Sequence, residues 1–439
     1  MKYSITPRRF LIVFAIGILT FILVSYHWDN ETRTSSVSRF VGGRHTLQNR
    51  PNHTETGTAR NEQTEISGTS ERMTSQCTTQ QQQQQETDTV EEDFIKRQRR
   101  YMNACSSSIS GSVKDIFVHE PSGLAVCHTQ KVGCTFWKRI MSYLLQETGK
   151  PVKSPYEIDR YYVHHGNKPN RFQHRFSDPR LKTMLPNLKR VAFTRDPYTR
   201  LWSAFVDKII LPDSWSDHGQ GIYKHRNRSN VECPLNITFE DFLHYAIFKK
   251  RDAHWDPLHT VCNPCIMFPQ YVGKMETFSR DTKYLLNKVG LGHLVSNKSH
   301  QDHAEDEMRM LISYHFELQS RRNINKKCLT TTALTGRLWR AFQLNGYISF
   351  EEVFPEPRVR ALLDGLSIPQ ARDEITRLLV DYHQDGSTSW KKQRKSVLVN
   401  AFKQIPLDLR EEISHRYKHD FDLYGYEPYP AEIFPERYH

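Results

Sequence analysis

No glycine-rich phosphate loop is present: the turn around Lys131 holds a single glycine, Gly133, and no G-x-x-x-x-G-K-[ST], which argues against kinase and NTPase chemistry. Nor is there a compact basic stripe with interleaved aromatics. The formal net charge of +12 is scattered over 439 residues, which argues against nucleic-acid binding and leaves polyanionic substrates or anionic membrane surfaces. Cys262-Asn-Pro-Cys265 lacks a second pair at matching spacing, so zinc is the weaker reading of it. Long apolar runs are absent save one, Phe10 to Val24, and no small-x-small cleavage site follows that run. From Asp29 to about Arg100 large apolar side chains are scarce and Thr, Ser, Gln and Glu dominate, including the glutamine run Gln80 to Gln85. Such a segment cannot bury enough surface to offset its ordering entropy and reads as a flexible stem.

The apolar run is preceded by Lys2, Arg8 and Arg9 and followed by Tyr26 and Trp28, an aromatic pair suited to a membrane interface. A cleaved signal peptide and a membrane anchor compete here, and the anchor is favoured: a transmembrane signal-anchor over residues 10–28, with a cytoplasmic tail over 1–9 and everything beyond it lumenal. A span this short suits the thinner membranes of the early secretory pathway. A disordered stem over 29–100 and a folded domain over 101–430 follow, and Glu91–Tyr101 starts a helix leading into that domain. Anchor, stem and lumenal domain are the layout of a single-pass type II Golgi enzyme, and the Golgi membrane is the expected location. Sequons at Asn30, Asn52, Asn227, Asn236 and Asn297 agree with lumenal exposure. In an oxidising lumen Cys105, Cys233, Cys262, Cys265 and Cys328 are expected in disulfides, with the pairing open.

Two segments carry the chemistry. AVCHTQKVGCTFWKR (Ala125 to Arg139) and RVAFTRDPYTRLWSAF (Arg190 to Phe205) each read as a short apolar strand, a polar turn and an amphipathic helix. The helical stripes are Phe136, Ile140, Met141, Leu144 and Leu145 in the first and Leu201, Ala204, Phe205 and Ile209 in the second, where Asp196-Pro197 supplies a start signal. The fold class is α/β, a central parallel sheet flanked by helices, with ligands expected at the C-terminal edge of its strands. A helix N-terminus offers unpaired N–H groups and a positive dipole end, so the pattern is an anion site built twice. Lys131 and Thr135 sit at the first, Arg195 and Ser203 at the second. Singly, Lys131 reads as a solvated loop lysine and Arg195 as a capping partner of Asp196; together they suggest one ligand with two phosphate-type groups.

K-V-G-C-T-x-W-K-R from Lys131 resembles the 5′-phosphosulfate-binding loop, and R-D-P-Y-x-R-L-x-S-A-F from Arg195 the 3′-phosphate-binding motif, of the carbohydrate sulfotransferases of the HNK-1, chondroitin and dermatan 4-O type. His254-Trp-Asp-Pro257, Cys262-x-x-Cys265, Tyr271 to Phe278 and Tyr417 to Tyr426 resemble that family's later motifs, in its order. Gln130 departs from the family's usual proline and Phe136 from its frequent asparagine, and the stretch 301–396 aligns poorly. The resemblance implies a P-loop-like sulfotransferase fold and 3′-phosphoadenosine 5′-phosphosulfate as sulfate donor. It also implies a glycan acceptor, of chondroitin, dermatan or GalNAc- and GlcA-containing type, and no metal. Donor contacts are then expected from Gln130, Lys131, Val132, Gly133, Cys134, Thr135 and Phe136, and from Arg195, Asp196, Pro197, Tyr198, Thr199, Arg200, Leu201, Trp202 and Ser203. Lys131 is expected to neutralise charge on the leaving group.

A general base must accept the acceptor's proton. His254 is the first choice, with Trp255 as a sugar-stacking surface and Asp256 as an orienting group; His164, His165 and Glu240 are further candidates. A type II glycosyltransferase, with Asp420-Phe-Asp422 as its D-x-D, and a non-catalytic glycan-binding protein are the competing classes. The acceptor position and the oligomeric state are not readable from the sequence.

Overall fold

The computed structural model describes residues 85, 87–105, 109–166, 173–227, 232–296, 298–383 and 387–438. The chain divides into the units Met1–Arg72 and Met73–His439, and all described residues belong to the second. The expected tail, the anchor over 10–28 and the stem up to residue 84 lie outside the described residues. Among the described residues no helix is long and apolar enough to cross a membrane.

Helix α1 (residues 87–104) precedes the sheet and buries Val90, Phe94 and Tyr101 against it. Arg97 on α1 donates to Asp281 Oδ2 (2.5 Å) and to the Val272 carbonyl (3.1 Å). The folded unit therefore takes in 87–100, which the sequence assigned to the stem; of the few apolar positions there, Val90 and Phe94 are spent on the core and Ile95 stays exposed.

Five strands follow: β1 (Asp115–His119), β2 (Leu124–Cys127), β3 (Gln173–Arg175), β4 (Lys189–Thr194) and β5 (Tyr271–Lys274), in the spatial order β3-β1-β2-β4-β5. The sheet is mixed, which corrects the expected parallel one. β2, β4 and β5 run parallel, while β1 is antiparallel to both β2 and β3. The cause is local: only Glu120 to Gly123 separate β1 from β2, with Gly123 left-handed at φ 63°, and so short a link makes a hairpin. The parallel strands need crossovers, which the helices supply.

Helix α2 (Cys134–Leu144) follows β2, α3 (Arg160–His165) lies beyond it, α4 (Pro197–Phe205) follows β4, and α5 (Phe278–Lys288) follows β5 through one 3-10 turn. Strand side chains alternate between two cores: Phe117, Val126, Val191 and Phe193 pack with Trp137, Ile140 and Met141 of α2, while Ile116, Val118, Ala125 and Ala192 pack with Leu181 and Leu188. The expected stripe Leu201, Ala204, Phe205 and Ile209 is buried. It joins a helical cluster including α6 (His300–Arg321) and α7 (Thr331–Asn345), followed in the chain by α8 (Ser387–Lys403) and α9 (Lys418–Tyr424).

Cys105–Cys265, Cys127–Cys262 and Cys233–Cys328 are disulfides. All five expected cysteines are used, and Cys127, which the sequence hid inside a strand, is the sixth. Cys262 and Cys265 go to different partners, so the zinc reading of that pair is overturned.

Candidate anion-binding site

β2 and β4 are hydrogen-bonded neighbours, so the two turns that follow them open on the same edge of the sheet. In the first turn Lys131 (φ 67°) and Gly133 (φ 85°) are both left-handed. For lysine that conformation is strained, and such strain persists only where the surroundings enforce it. A Cβ on Gly133 would strike the Phe278 ring, so glycine is required there twice over. Gly133 caps α2 without any side-chain bond, which leaves the first N–H groups of α2 to other acceptors.

The second turn differs from what its sequence suggested. Asp196 caps α4 and accepts from Thr199 N at 2.8 Å, so a carboxyl already occupies that helix start. Burial, and then the nearby Glu276, push the Asp196 carboxyl up to about 6. What the second turn offers an anion is cationic charge rather than its helix end. Arg195 donates from Nε to Thr199 Oγ1 (3.3 Å) and from Nη1 to the Lys131 carbonyl (3.3 Å), so one guanidinium joins both turns. Burial, reinforced by Arg394 of α8, lowers Arg195 to about 10. Ser203 is half-buried on α4. Glu276, just after β5, accepts from Asp196 N (3.4 Å) and from the Tyr426 hydroxyl (3.1 Å), which also shares a hydrogen bond with Thr194 Oγ1 (2.8 Å).

Lys131 faces a buried charge cluster that the sequence did not announce. Its Nζ lies 2.8 Å from Asp207 Oδ2, and Arg160 Nη2 lies 3.0 Å from Asp207 Oδ1. Lys208 contacts Asp207 (3.5 Å) and pairs closely with Asp213, which also accepts from the Tyr314 hydroxyl (2.9 Å). Asp207 and Lys208 belong to a π-helical segment, Val206–Ile210, that continues α4, a distortion frequent at functional sites. Burial lowers the Lys131 ammonium to about 8 against the raising effect of Asp207, while Lys208 and Arg160 lower it further. Burial would raise Asp207, but Lys131, Lys208 and Arg160 outweigh it and hold the carboxyl well below its usual range. Arg160 has its guanidinium 4.6 Å from the Tyr314 ring centroid.

Several histidines border this cluster. His254 Nδ1 lies 2.6 Å from Asp252 Oδ1, and Asp252 Oδ2 lies 3.3 Å from His218 Nε2. Although burial raises Asp252, its bonds with His218 and His254 hold it far below the carboxylate range, so it is ionised and Nδ1–H donates to it. Burial, then Lys208, push His254 down; Lys131 adds to this, which puts the imidazole within the field of the cluster. His164 Nε2 shares a hydrogen bond with Thr135 Oγ1 (3.0 Å), and His165 Nε2 with the Tyr314 hydroxyl (3.1 Å). Of the other expectations, Glu240 pairs with Arg226 and His244. Trp255 is fully buried and donates to the Lys250 carbonyl, so it is no stacking surface; Asp256 pairs with Arg251 and Arg416, and Asp252 takes the orienting role in its place.

Several expected donor contacts are occupied elsewhere. Tyr198, Leu201 and Trp202 pack in the helical core, and Pro197 is buried at the start of α4. Arg200 donates to the carbonyls of Gln130 (3.2 Å), Asp256 (2.5 Å) and Ala253 (2.7 Å), pinning the first turn to the His254 loop. Val132 is buried in the core, and Cys134 shares a weak bond with His128 Nε2. Phe136 packs edge-on against Phe278 and, with Thr135 and Arg139, lines a cleft of about 1090 Å³. Buried polar atoms without a partner among the described residues gather here: Thr129 Oγ1, Gln130 Oε1, Arg139 Nε and Arg160 Nε. Such orphans are costly unless a ligand or water completes them. The residues missed are Arg160, Asp207, Lys208, Asp213, Asp252 and Tyr314. The charged pair Asp207-Lys208, set inside the apolar run Phe205 to Ile210, was the one readable signal.

Asp420, half of the D-x-D, is buried and accepts from Leu258 N, His259 N and His259 Nδ1, so its carboxylate is spent on fastening that loop. The fold and the site define an α/β protein with two cationic turns on one sheet edge and no Walker loop. The chain belongs to the Sulfotransferase family, whose model matches residues 114–342. It is similar to human carbohydrate sulfotransferase 9, 31% identical over 212 residues, 46% of this chain and 47% of the relative. It is also similar to mouse carbohydrate sulfotransferase 12 (29% over 197 residues, 39% and 47%) and to human carbohydrate sulfotransferase 10 (29% over 270 residues, 58% and 72%). The chain thus spans about half the length of the first relatives it matches. No solved structure matches it.

Proposed function

We propose that this protein is a carbohydrate sulfotransferase that uses 3′-phosphoadenosine 5′-phosphosulfate to sulfate a hydroxyl of a glycan, of chondroitin, dermatan or GalNAc- and GlcA-containing type. The observation that carries the reading is the pairing of Lys131, beside the uncapped start of α2, with Arg195, whose guanidinium joins the two turns. Three of the orphaned polar atoms, Thr129 Oγ1, Arg139 Nε and Arg160 Nε, are donors that suit an anionic ligand. The donor supplies a sulfuryl group and an anionic leaving group. Lys131, Thr135 and the N–H groups of α2 neutralise charge on the 5′ side, and Arg195 and Ser203 hold the 3′-phosphate. His254, with Nδ1–H fixed by Asp252, keeps Nε2 as the acceptor for the sugar hydroxyl proton. The cationic side chains leave no task for a metal.

The proposed location is the Golgi membrane, as a single-pass type II protein. It is supported by the basic-flanked apolar run Phe10 to Val24 and by three disulfides, which suit an oxidising lumen. Labelled-sulfate transfer to desulfated chondroitin, dermatan, GalNAc-terminated and glucuronyl-lactosamine acceptors tests the activity and identifies the acceptor. Lys131→Ala and Arg195→Ala each lower transfer by about two orders of magnitude or more, with thermal unfolding still cooperative. Normal turnover by either variant overturns the assignment.

A further inference from the structure

We propose that Asp207 is a positioning residue for the transfer reaction, holding the Lys131 side chain at the first turn and keeping its ammonium charged within a buried, cation-rich cluster. The inference rests on the sulfotransferase reading for its consequence, but its geometry is independent of it.

Lys131 is pinned at both ends. Its carbonyl accepts from Arg195 and its Nζ contacts Asp207, while its own backbone is held left-handed. The ammonium is faced by Asp207 and Lys208 from the π segment, by Arg160 from α3 and by His254 from the loop before residue 257. Lys131, Lys208 and Arg160 are three cations; Asp207 and Asp213 are the two carboxylates that face them. With Asp207 neutralised, one carboxylate would serve all three. Arg160 cannot shed a proton, and Lys208 retains Asp213, so Lys131 is the group that gives way. A lysine that has lost its proton cannot offset charge on a leaving oxygen. Asp207 is therefore more than one half of an ion pair: its carboxylate decides whether the lysine at the turn is cationic at neutral pH.

The test is Asp207→Asn in the full protein, read in two ways. Trace acetylation of the Lys131 amine with labelled acetic anhydride across pH, followed by peptide mass spectrometry, gives a wild-type midpoint near 8. In the variant the midpoint falls by about 1–3 pH units, the usual scale for losing an adjacent opposite charge. The alkaline limb of kcat/KM for sulfate transfer moves to lower pH by the same interval, and in a Lys131→Arg background Asp207→Asn moves no limb. A purely structural role would depress activity at every pH and leave both midpoints in place, and that result overturns the proposal. Asp207→Ser replaces the asparagine variant if the latter does not fold; failure of both to fold also counts against it. If the wild-type protein transfers no sulfate, the functional reading fails while the acetylation midpoints still decide the role of Asp207.

Discussion

His254 and Asp252 stand two residues apart in one loop, yet they differ in how they can be found. The histidine belongs to a motif; the aspartate is recognised only by its 2.6 Å bond to the ring and its second bond to His218. The sequence offered Trp255 and Asp256 as the helpers, and burial and arginine pairing remove both. His254→Ala lowers kcat by about 10²–10⁴-fold, and Asp252→Asn by less. A base works above its own pKa, and burial together with Lys208 and Lys131 places His254 below the ordinary histidine value of 6.5. The acid limb of kcat/KM is therefore expected below pH 6.5; a limb above 7 would remove His254 as the base. Gly133 shows the opposite case, a residue whose role is steric. Gly133→Ala introduces a left-handed alanine against the Phe278 ring and costs about 1–3 kcal/mol, measured by denaturant unfolding.

At the scale of elements, both strand–turn–helix segments were legible, because apolar strands, Asp196-Pro197 and the stripe through Leu201 and Phe205 are local signals. The orientation of β1 was not, since strand direction depends on the partner that a short turn selects. The π segment was hidden as well: its five residues, Asp207 and Lys208 among them, are too few for the widened turn to show as a change of period. The cap of α4 separates the two turns in kind. Asp196→Ala removes the bond to Thr199 N and destabilises the protein by about 1 kcal/mol, whereas Asp196→Asn largely preserves it, as thermal melts of the two variants will show.

At the scale of the whole molecule, the three disulfides among the described residues tie segments far apart in the chain, with Cys105 and Cys265 separated by 160 residues. Cys105→Ser lowers stability by about 2–5 kcal/mol, read from chemical unfolding. Stability also falls in acid, and the sign follows from three buried histidines. Burial lowers His128 to about 3, His315 to about 4 and His164 well below its usual value. Below pH 6.5 the unfolded chain therefore binds protons that the folded one refuses, so the melting temperature drops between pH 6.5 and about 4. Sequence periodicity could not foresee α6, whose Tyr314 and His315 come to the cluster from the stretch that aligned poorly.

The hydrogen bond between Thr194 and Tyr426 joins residues 232 positions apart. At about 5–20 residues per second, ribosomal synthesis takes roughly ten to fifty seconds to pass from one to the other. For that interval the second turn exists as nascent chain without the tyrosine that bridges it to Glu276. Arg195 can meanwhile reach Thr199 and the Lys131 carbonyl, so the second turn is held at first from one side only. A translational pause within those 232 residues would lengthen that interval without altering a single side chain.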